Sequence, residues 1–177
     1  AQPGEVIVCD STSVNLFKVL SAALSKSSGR HVILSDRANF PTDLYIAKGV
    51  ISTMERDVEM RLINSEELER QIDSSIAVLF LTHVDFRHGA RCDMEHMTRL
   101  AHDAGTLVVW DLAHSAGAMP VELNTCAVDF AVGCGYKYLN GGPGAPAYVY
   151  VAQALQAELR NPLTGWMGHE APFDFSH

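Results

Sequence analysis

Short apolar runs alternate with amphipathic stretches along the whole chain. The segments "EVIVC" and "HVILS" have the length and the β-branched content of strands. Between them, apolar residues recur at helical spacing at Leu16, Val19, Leu20, Ala23 and Leu24. The later run "IAVLFLT" is apolar throughout, as is typical of a strand covered on both faces. The pattern therefore predicts strands and helices in alternation.

The rest of the chain continues this alternation. "VEMRLI", "TLVVWD", "DFAVGCG" and "AYVYV" are predicted strands, and "DMEHMTRLAHDAG" is a predicted helix that ends at a C-cap glycine. Pro41 begins a turn, after which Thr42 or Asp43 is expected to cap a short helix. In "NSEELERQI", Asn64 and Glu67 have the spacing of a capping box at a helix start.

Strands that alternate with helices imply βαβ crossovers and a mostly parallel sheet. We therefore expect an α/β fold, a three-layer α/β/α sandwich. The length of 177 residues suits one domain, residues 1–177.

Composition and charge narrow the classes of partner. A formal net charge of -8 argues against a nucleic-acid partner, because phosphate backbones bind clustered Lys and Arg. No apolar run approaches the roughly 20 residues of a membrane span, so no membrane is expected. Four cysteines, Cys9, Cys92, Cys126 and Cys134, are scattered without a CxxC pair. Scattered cysteines indicate buried, reduced thiols and a cytoplasmic protein.

Polar residues follow four of the predicted strands, in "CDSTS", "THVD", "DLAH" and "GYK". In open α/β sheets, ligands bind beyond the carboxyl ends of the strands and near helix N-termini. The sequence therefore predicts a ligand site at this edge of the sheet.

Asp111 directly follows the predicted strand "TLVVW", and His114 comes three residues later. A buried carboxylate needs a cation or hydrogen-bond donors, so Asp111 either caps the next segment or faces a cationic ring nitrogen. An Asp-x-x-His metal site is the other reading, but no third ligand has convincing spacing, so no metal is expected.

Lys137 lies between two tyrosines and just before a glycine-containing run, in "GYKYLNGGPG". It is either a snorkelling lysine or a desolvated amine that forms a Schiff base. A Schiff-base lysine and an aspartate facing a pyridinium nitrogen are the two residues that pyridoxal 5'-phosphate (PLP) most needs. "DSTS" is either a plain N-cap or the anion site for the phosphate.

The blocks "CDSTSVN", "NFPTD", "DLAHSAG", "GYKYLNGGPG" and "GWMGH" occur in this order. In the residues of these blocks and the spacing between them, the chain resembles the kynureninases, which are PLP enzymes with the aspartate-aminotransferase fold (fold type I). The resemblance implies the PLP-binding large domain of that fold. It also implies that residues 1–177 lack an N-terminal segment and a small C-terminal domain. Cysteine desulfurases and other class-V enzymes resemble the chain less, since they usually carry Gln where His114 stands.

The resemblance implies a role for each matching residue. Lys137 would attach the cofactor and later shuttle protons, and Asp111 would keep the pyridine nitrogen protonated. Phe40 would stack on the ring, with Asp43 on the pyridine side and His114 close by. Phosphate contacts would come from Thr12, Ser13 and Tyr136, with Thr82 nearby, and from Trp166 of the neighbouring subunit. Tyr136 is also a candidate proton donor.

The implied activity is hydrolysis of the Cβ–Cγ bond of L-kynurenine or 3-hydroxykynurenine. The products would be anthranilate or 3-hydroxyanthranilate and L-alanine, in tryptophan catabolism, the kynurenine pathway and NAD biosynthesis. The implied partners are a small-molecule amino-acid substrate and a second subunit, in a homodimer that shares its active sites.

Three other functions remain open from the residues. One is a different fold type I enzyme, such as a cysteine desulfurase or a class-V aminotransferase. Another is a non-catalytic module that keeps the fold for dimerisation or small-molecule binding. A nucleotide-binding Rossmann domain is disfavoured, because no GxGxxG follows the first predicted strand.

Overall fold

A computed structural model describes residues 1–27, 29–169 and 171–175. Its strands, β1 to β7, are Val6–Val8, Val32–Asp36, Glu59–Ile63, Ile76–Thr82, Leu107–Asp111, Phe130–Cys134 and Ala147–Val151. Its α-helices, α1 to α4, are Thr12–Lys26, Pro41–Thr53, Met94–Asp103 and Gln153–Gln156. Two 3₁₀-helices cover Ser65–Gln71 and Trp166–Gly168.

The strands form one sheet in the order β1-β7-β6-β5-β4-β2-β3. Every pair from β6 to β3 is parallel, whereas β7 is antiparallel to both β6 and β1. Only the loop 135–146 joins β6 to β7, and a loop this short, without a helix, returns the chain in the antiparallel sense. The prediction of a mostly parallel α/β sheet is confirmed.

Each face of the sheet carries its own apolar core. Successive strand residues point to opposite faces, so on β5 Val109 packs with α1 and α2, whereas Trp110 packs with α3. The indole Nε1 of Trp110 donates a hydrogen bond to Thr98 Oγ1 of α3 at 3.1 Å. These two cores make the three layers that the sequence predicts.

The start of α2 differs from its prediction. Neither Thr42 nor Asp43 caps it: the helix begins at Pro41, and the N-cap position is Phe40, which makes no side-chain cap bond. Proline suits a first helical turn because its missing N–H has no intrahelical acceptor there. Asp43 is instead buried, only 5% exposed, and belongs to the site described below.

The predicted capping box is also wrong. Ser65–Gln71 is a 3₁₀-helix, and Asn64 makes no side-chain cap bond. Ser65 Oγ donates to Asp36 Oδ2 on β2 instead. Leu68 is the buried residue of this segment, so little apolar surface holds it as an α-helix.

The ends of α1 and α3 agree with the sequence. Ser11 Oγ accepts a hydrogen bond from the Val14 amide at 3.3 Å, and Asp93 Oδ1 accepts from the His96 amide at 3.0 Å. Gly105, just beyond α3, has a φ of 71°, as a C-cap glycine requires.

The cysteines fit their prediction only in part. All four are free thiols, but only Cys134 is buried, and the other three are half-buried. Among the described helices, none combines the length and the apolar character that crossing a membrane requires. In the same part of the chain, His, Cys, Asp and Glu side chains form no group of three that could hold a metal ion.

Candidate active site

Four loops meet at one edge of the sheet. Strands β1, β4, β5 and β6 run in the same direction, so the segments that follow them emerge at the same edge. Thr82 ends β4, Asp111 ends β5, and Lys137 comes three residues after β6. Half-buried Thr12 and Ser13 form the first turn of α1, just after β1. The predicted convergence of these segments on one edge is confirmed.

The Lys137 side chain points at other residues of the site. Its Nζ lies 2.9 Å from Nε2 of His114 and 5.6 Å from the centroid of the Phe40 ring. The Tyr136 ring centroid is 5.9 Å away. A snorkelling lysine would direct its ammonium group to water, whereas this ammonium group meets an imidazole and an aromatic face.

Glycines allow the loop that carries Lys137 to pack closely. The Gly135 amide donates to Pro146 O at 3.1 Å, and the Gly141 amide donates to Gly135 O at 2.9 Å. A Cβ atom on Gly135 would lie 2.4 Å from Pro146 O, which is closer than any real contact. The loop therefore depends on glycine at this position to place Lys137.

The contact with Lys137 determines which nitrogen of His114 carries the proton. Burial and the Lys137 charge lower the pKa of His114, so its ring is neutral at pH 7. Since the ammonium group can only donate, Nε2 accepts and the proton is on Nδ1. Nδ1 is buried and has no hydrogen-bond partner among the described residues. The imidazole thus holds the amine at one nitrogen and offers a donor at the other.

Two carboxyl groups are buried on the same side of the sheet. Asp111 is 2% exposed, and its Oδ1 accepts a hydrogen bond from the Ala113 amide at 2.8 Å. Thr82 Oγ1 lies 3.5 Å from Asp111 Oδ2. Asp43 Oδ2 is buried with no hydrogen-bond partner in the described chain.

The environment of this pair favours the retention of a proton. Burial raises the pKa of Asp111. Burial, followed by the charge of Asp111, raises the pKa of Asp43 to about 8. A cation with an N–H donor would satisfy both groups, because it supplies the missing charge and the missing hydrogen bond.

Phe86 is a residue of this site that the sequence did not predict. The Phe86 ring lies 5.0 Å from the Phe40 ring, nearly perpendicular to it, and 6.3 Å from the His114 ring at an angle of 28°. Phe86 belongs to the loop "THVDFRHG", from which the sequence pattern selects only the polar residues of "THVD". An aromatic residue in a loop at a strand end was the available signal.

Two other predicted residues, Tyr136 and Trp166, are largely exposed to solvent. Tyr136 is 52% exposed, and its partial burial, with a further effect of Cys134, raises its pKa. Trp166 is 59% exposed, and its ring packs against Phe173 and Phe175. Within the described residues, Trp166 is not part of the cluster around Lys137.

A family model, Aminotransferase class-V, matches residues 1–170. The chain belongs to the aminotransferase class-V family. Relatives in this family include kynureninases from Pseudomonas fluorescens and Burkholderia pseudomallei (strain 1106a), each 51% identical over 178 residues. The alignments cover 98% of this chain and 43% of each kynureninase, so the chain spans less than half the length of these relatives.

Solved structures with the same fold have a lower sequence identity to this chain than the kynureninases have. The apo cysteine desulfurase from Thermococcus onnurineus NA1 has a TM-score of 0.78 at 21% identity, over 93% of this chain and 42% of that one. A C-DES variant with glycine covalently linked to its PLP cofactor has a TM-score of 0.79 at 15% identity, over 94% and 46%. At these identities the likeness establishes the class-V fold alone.

Class-V enzymes depend on PLP, and the residues of this site fit that cofactor. Within the described chain, Asp43 Oδ2 is a buried oxygen without a hydrogen-bond partner, which a protonated pyridine nitrogen would satisfy beside Asp111. Phe40 offers a ring for stacking, and its centroid is 5.6 Å from the amine that would attach the cofactor. The first turn of α1, a helix of 15 residues, offers backbone N–H groups to a phosphate.

Proposed function

We propose that this chain is the PLP-binding large-domain part of a kynureninase, which hydrolyses L-kynurenine or 3-hydroxykynurenine. The observation that carries the proposal is the arrangement at the sheet edge. An amine held by His114 and an aromatic ring share this edge with the carboxyl pair Asp43 and Asp111. The 51% identity to kynureninases over 98% of the chain supports this substrate class.

Each residue would hold one part of the cofactor. Lys137 would attach it through Nζ, Phe40 would stack on its ring, and Asp111 with Asp43 would hold the protonated ring nitrogen. The phosphate would lie against Thr12, Ser13, Tyr136 and Thr82. When bound, PLP would supply an electron sink for the bonds of the substrate Cα.

The chain's own residues would move the protons. The Lys137 amine would be the base that takes the substrate Cα proton. His114 Nε2, 2.9 Å from Nζ, accepts a hydrogen bond from the amine and so orients it. Tyr136 would donate a proton near the cleaved bond, because a tyrosine hydroxyl is protonated at pH 7 and the pKa of this one is raised further.

The assembly and location are part of the same proposal. We infer a homodimer in which Trp166 reaches the phosphate site of the neighbouring subunit. The exposed rings of Trp166, Phe173 and Phe175 support this, since exposed aromatic clusters are typical of interfaces. Four free thiols support a reducing, cytoplasmic location.

A Lys137→Ala variant of the full-length protein tests the proposal. The wild-type protein with PLP should show the absorbance of a lysine-linked cofactor, and borohydride should fix the label on the peptide that contains Lys137. The variant should lose this absorbance and lower kcat by at least about 10³-fold. Lys48→Ala, which alters an exposed lysine on α2, is the matched control and should behave as wild type.

Turnover of several substrates tests the reaction itself. Kynurenine and 3-hydroxykynurenine should be hydrolysed, whereas cysteine should yield no sulfide. A lysine-linked spectrum that persists in Lys137→Ala, or desulfuration of cysteine without kynurenine hydrolysis, would contradict the proposal.

A further inference from the structure

The loop of residues 83–92, between β4 and α3, holds Phe86 in a fixed place. Val84 and Arg91 form a β-bridge across the base of this β4–α3 loop. At its tip, Asp85 Oδ1 accepts hydrogen bonds from the amides of Arg87 at 2.9 Å and His88 at 2.7 Å. The carboxylate of Asp85 therefore orders the backbone directly after Phe86, within the turn that carries this residue.

Arg87 joins this loop to the segment that leads into α2. Its guanidinium carbon lies 4.1 Å from the centroid of the Phe86 ring, in a cation–π contact. Its Nη1 also donates a hydrogen bond to Ala38 O at 2.7 Å. Ala38 precedes Phe40 by two residues, so a single side chain links both phenylalanines.

Phe86 in turn contacts two residues that touch the amine of Lys137. It meets the Phe40 ring at 5.0 Å and an interplanar angle of 85°, and the His114 ring at 6.3 Å and 28°. Neither Phe86 nor Arg87 contacts Lys137 Nζ among the described contacts. Their influence on the amine passes through Phe40 and His114.

We propose that Phe86 and Arg87 are positioning residues of the Lys137 site. They fix the planes of Phe40 and His114, and thereby the place of the amine and of the cofactor ring that stacks on Phe40. The inference rests on the proposed function, because the ring to be positioned is that of PLP. Aromatic pairs and a cation over a ring each restrict orientation, which supports such a role.

Four variants of the full-length protein test this role. Arg87→Met keeps the length of the side chain but removes the guanidinium group, and Phe86→Leu removes the ring. Phe86→Tyr keeps the ring and serves as the conservative rescue. Arg91→Met is the matched control, because in the described chain the Arg91 guanidinium contacts neither the Phe86 ring nor Ala38 O.

Three readouts separate positioning from mere stability. The circular dichroism of the PLP absorbance band, per bound cofactor, reports how asymmetrically the ring is held. The PLP dissociation constant reports cofactor binding, and kcat and KM for kynurenine are measured separately. Thermal melting shows whether each variant folds.

Arg87→Met and Phe86→Leu should weaken the dichroism per bound cofactor and lower kcat by about tenfold, because small displacements of a reacting group have large effects on rate. The PLP dissociation constant should rise roughly threefold, the size of a lost cation–π contact. Phe86→Tyr and Arg91→Met should match wild type.

Unchanged dichroism and kcat in folded Arg87→Met would overturn the inference, even if its melting temperature fell. If Phe86→Leu fails to fold, Arg87→Met decides the question alone. Failure of the proposed function has a different signature, since the wild-type protein would then show no lysine-linked PLP absorbance.

Discussion

At the scale of single residues, the buried pair Asp43 and Asp111 is the most unusual chemical feature of the chain. Both side chains are at most 5% exposed. Lys137, whose positive charge acts on both carboxyl groups, directs its ammonium group to His114. Burial raises the pKa of both groups and outweighs the effect of the Lys137 charge, so the pair retains a proton in the cofactor-free protein at a pH where exposed aspartates have lost theirs.

This retained proton predicts a pH dependence of stability. The pKa of Asp43 is raised from 3.8 to about 8, so between these values the folded state binds a proton that the unfolded state does not. The free energy of unfolding of the cofactor-free protein should therefore fall as the pH rises through this window. Asp43→Asn should make that fall smaller, as measured by urea unfolding at pH 5.5 and pH 8.

Glu66→Gln is the control, since it removes an exposed carboxylate and should leave the pH dependence unchanged. An equal slope in wild type and Asp43→Asn would show that Asp43 is ionised throughout.

At the scale of elements, Asp129 joins α3, β5 and the start of β6. Its Oδ2 accepts hydrogen bonds from the Val108 amide at 2.8 Å and from His102 Nε2 at 2.9 Å. The hydrogen bond that His102 donates to Asp129 raises the pKa of His102, near the end of α3. No α-helix lies between β5 and β6 among the described elements. The Asp129 carboxylate therefore links α3, β5 and the start of β6 where a crossover helix would otherwise pack.

His102→Gln should lower the free energy of unfolding at pH 6 by less than about 1 kcal/mol, since the pair is partly exposed. A raised pKa stabilises the fold below the ordinary value of 6.5, and this contribution is lost as the pH rises through the folded pKa. The effect at pH 8.5 should therefore be smaller. His31→Gln, at an exposed histidine, should have no effect at either pH, and equal losses for His102→Gln at both would refute a protonated His102.

At the scale of the whole molecule, arginines hold the edge of the sheet opposite the site. Arg30 Nη1 donates to Ala104 O at 2.7 Å and to Ile76 O at 3.1 Å, joining the end of α3 to the start of β4. Arg56 Nη2 donates to Leu24 O at 2.7 Å, near the end of α1. Charged hydrogen bonds thus fix this edge at the start of β4 and at the ends of α1 and α3, whereas the carboxyl ends of the strands carry the loops of the candidate site.

Arg30→Met should lower the free energy of unfolding by about 2 kcal/mol, because two carbonyl groups lose a charged donor. The PLP dissociation constant should not change, because this edge is remote from the loops of the site. Urea unfolding and a PLP titration test both parts, with Arg70→Met, at an exposed arginine, as the control. A large loss of PLP affinity in Arg30→Met would show that the two edges are coupled.

The candidate site could be predicted in part because its signals are local. Asp111 directly follows a predicted strand, and the glycines around Lys137 indicate a tight loop. Phe86 and the cap of α2 were not predicted, because their environment comes from segments distant in sequence. Phe86 meets Phe40, 46 positions earlier, only because the loops after β2 and β4 adjoin at the sheet edge.

The sequence by itself determined the alternation of strands and helices, the mostly parallel sheet, and the gathering of Asp111, His114 and Lys137 at one edge. These features follow from the periodicity of the apolar residues and from the order of the segments along the chain, and both can be seen in the sequence. Only the tertiary structure decided that β7 reverses direction, that Asp43 is buried near Asp111, and that Phe86 packs against Phe40 and His114. Side chains far apart in sequence acquire partners, burial and shifted pKa values only when separate loops pack together.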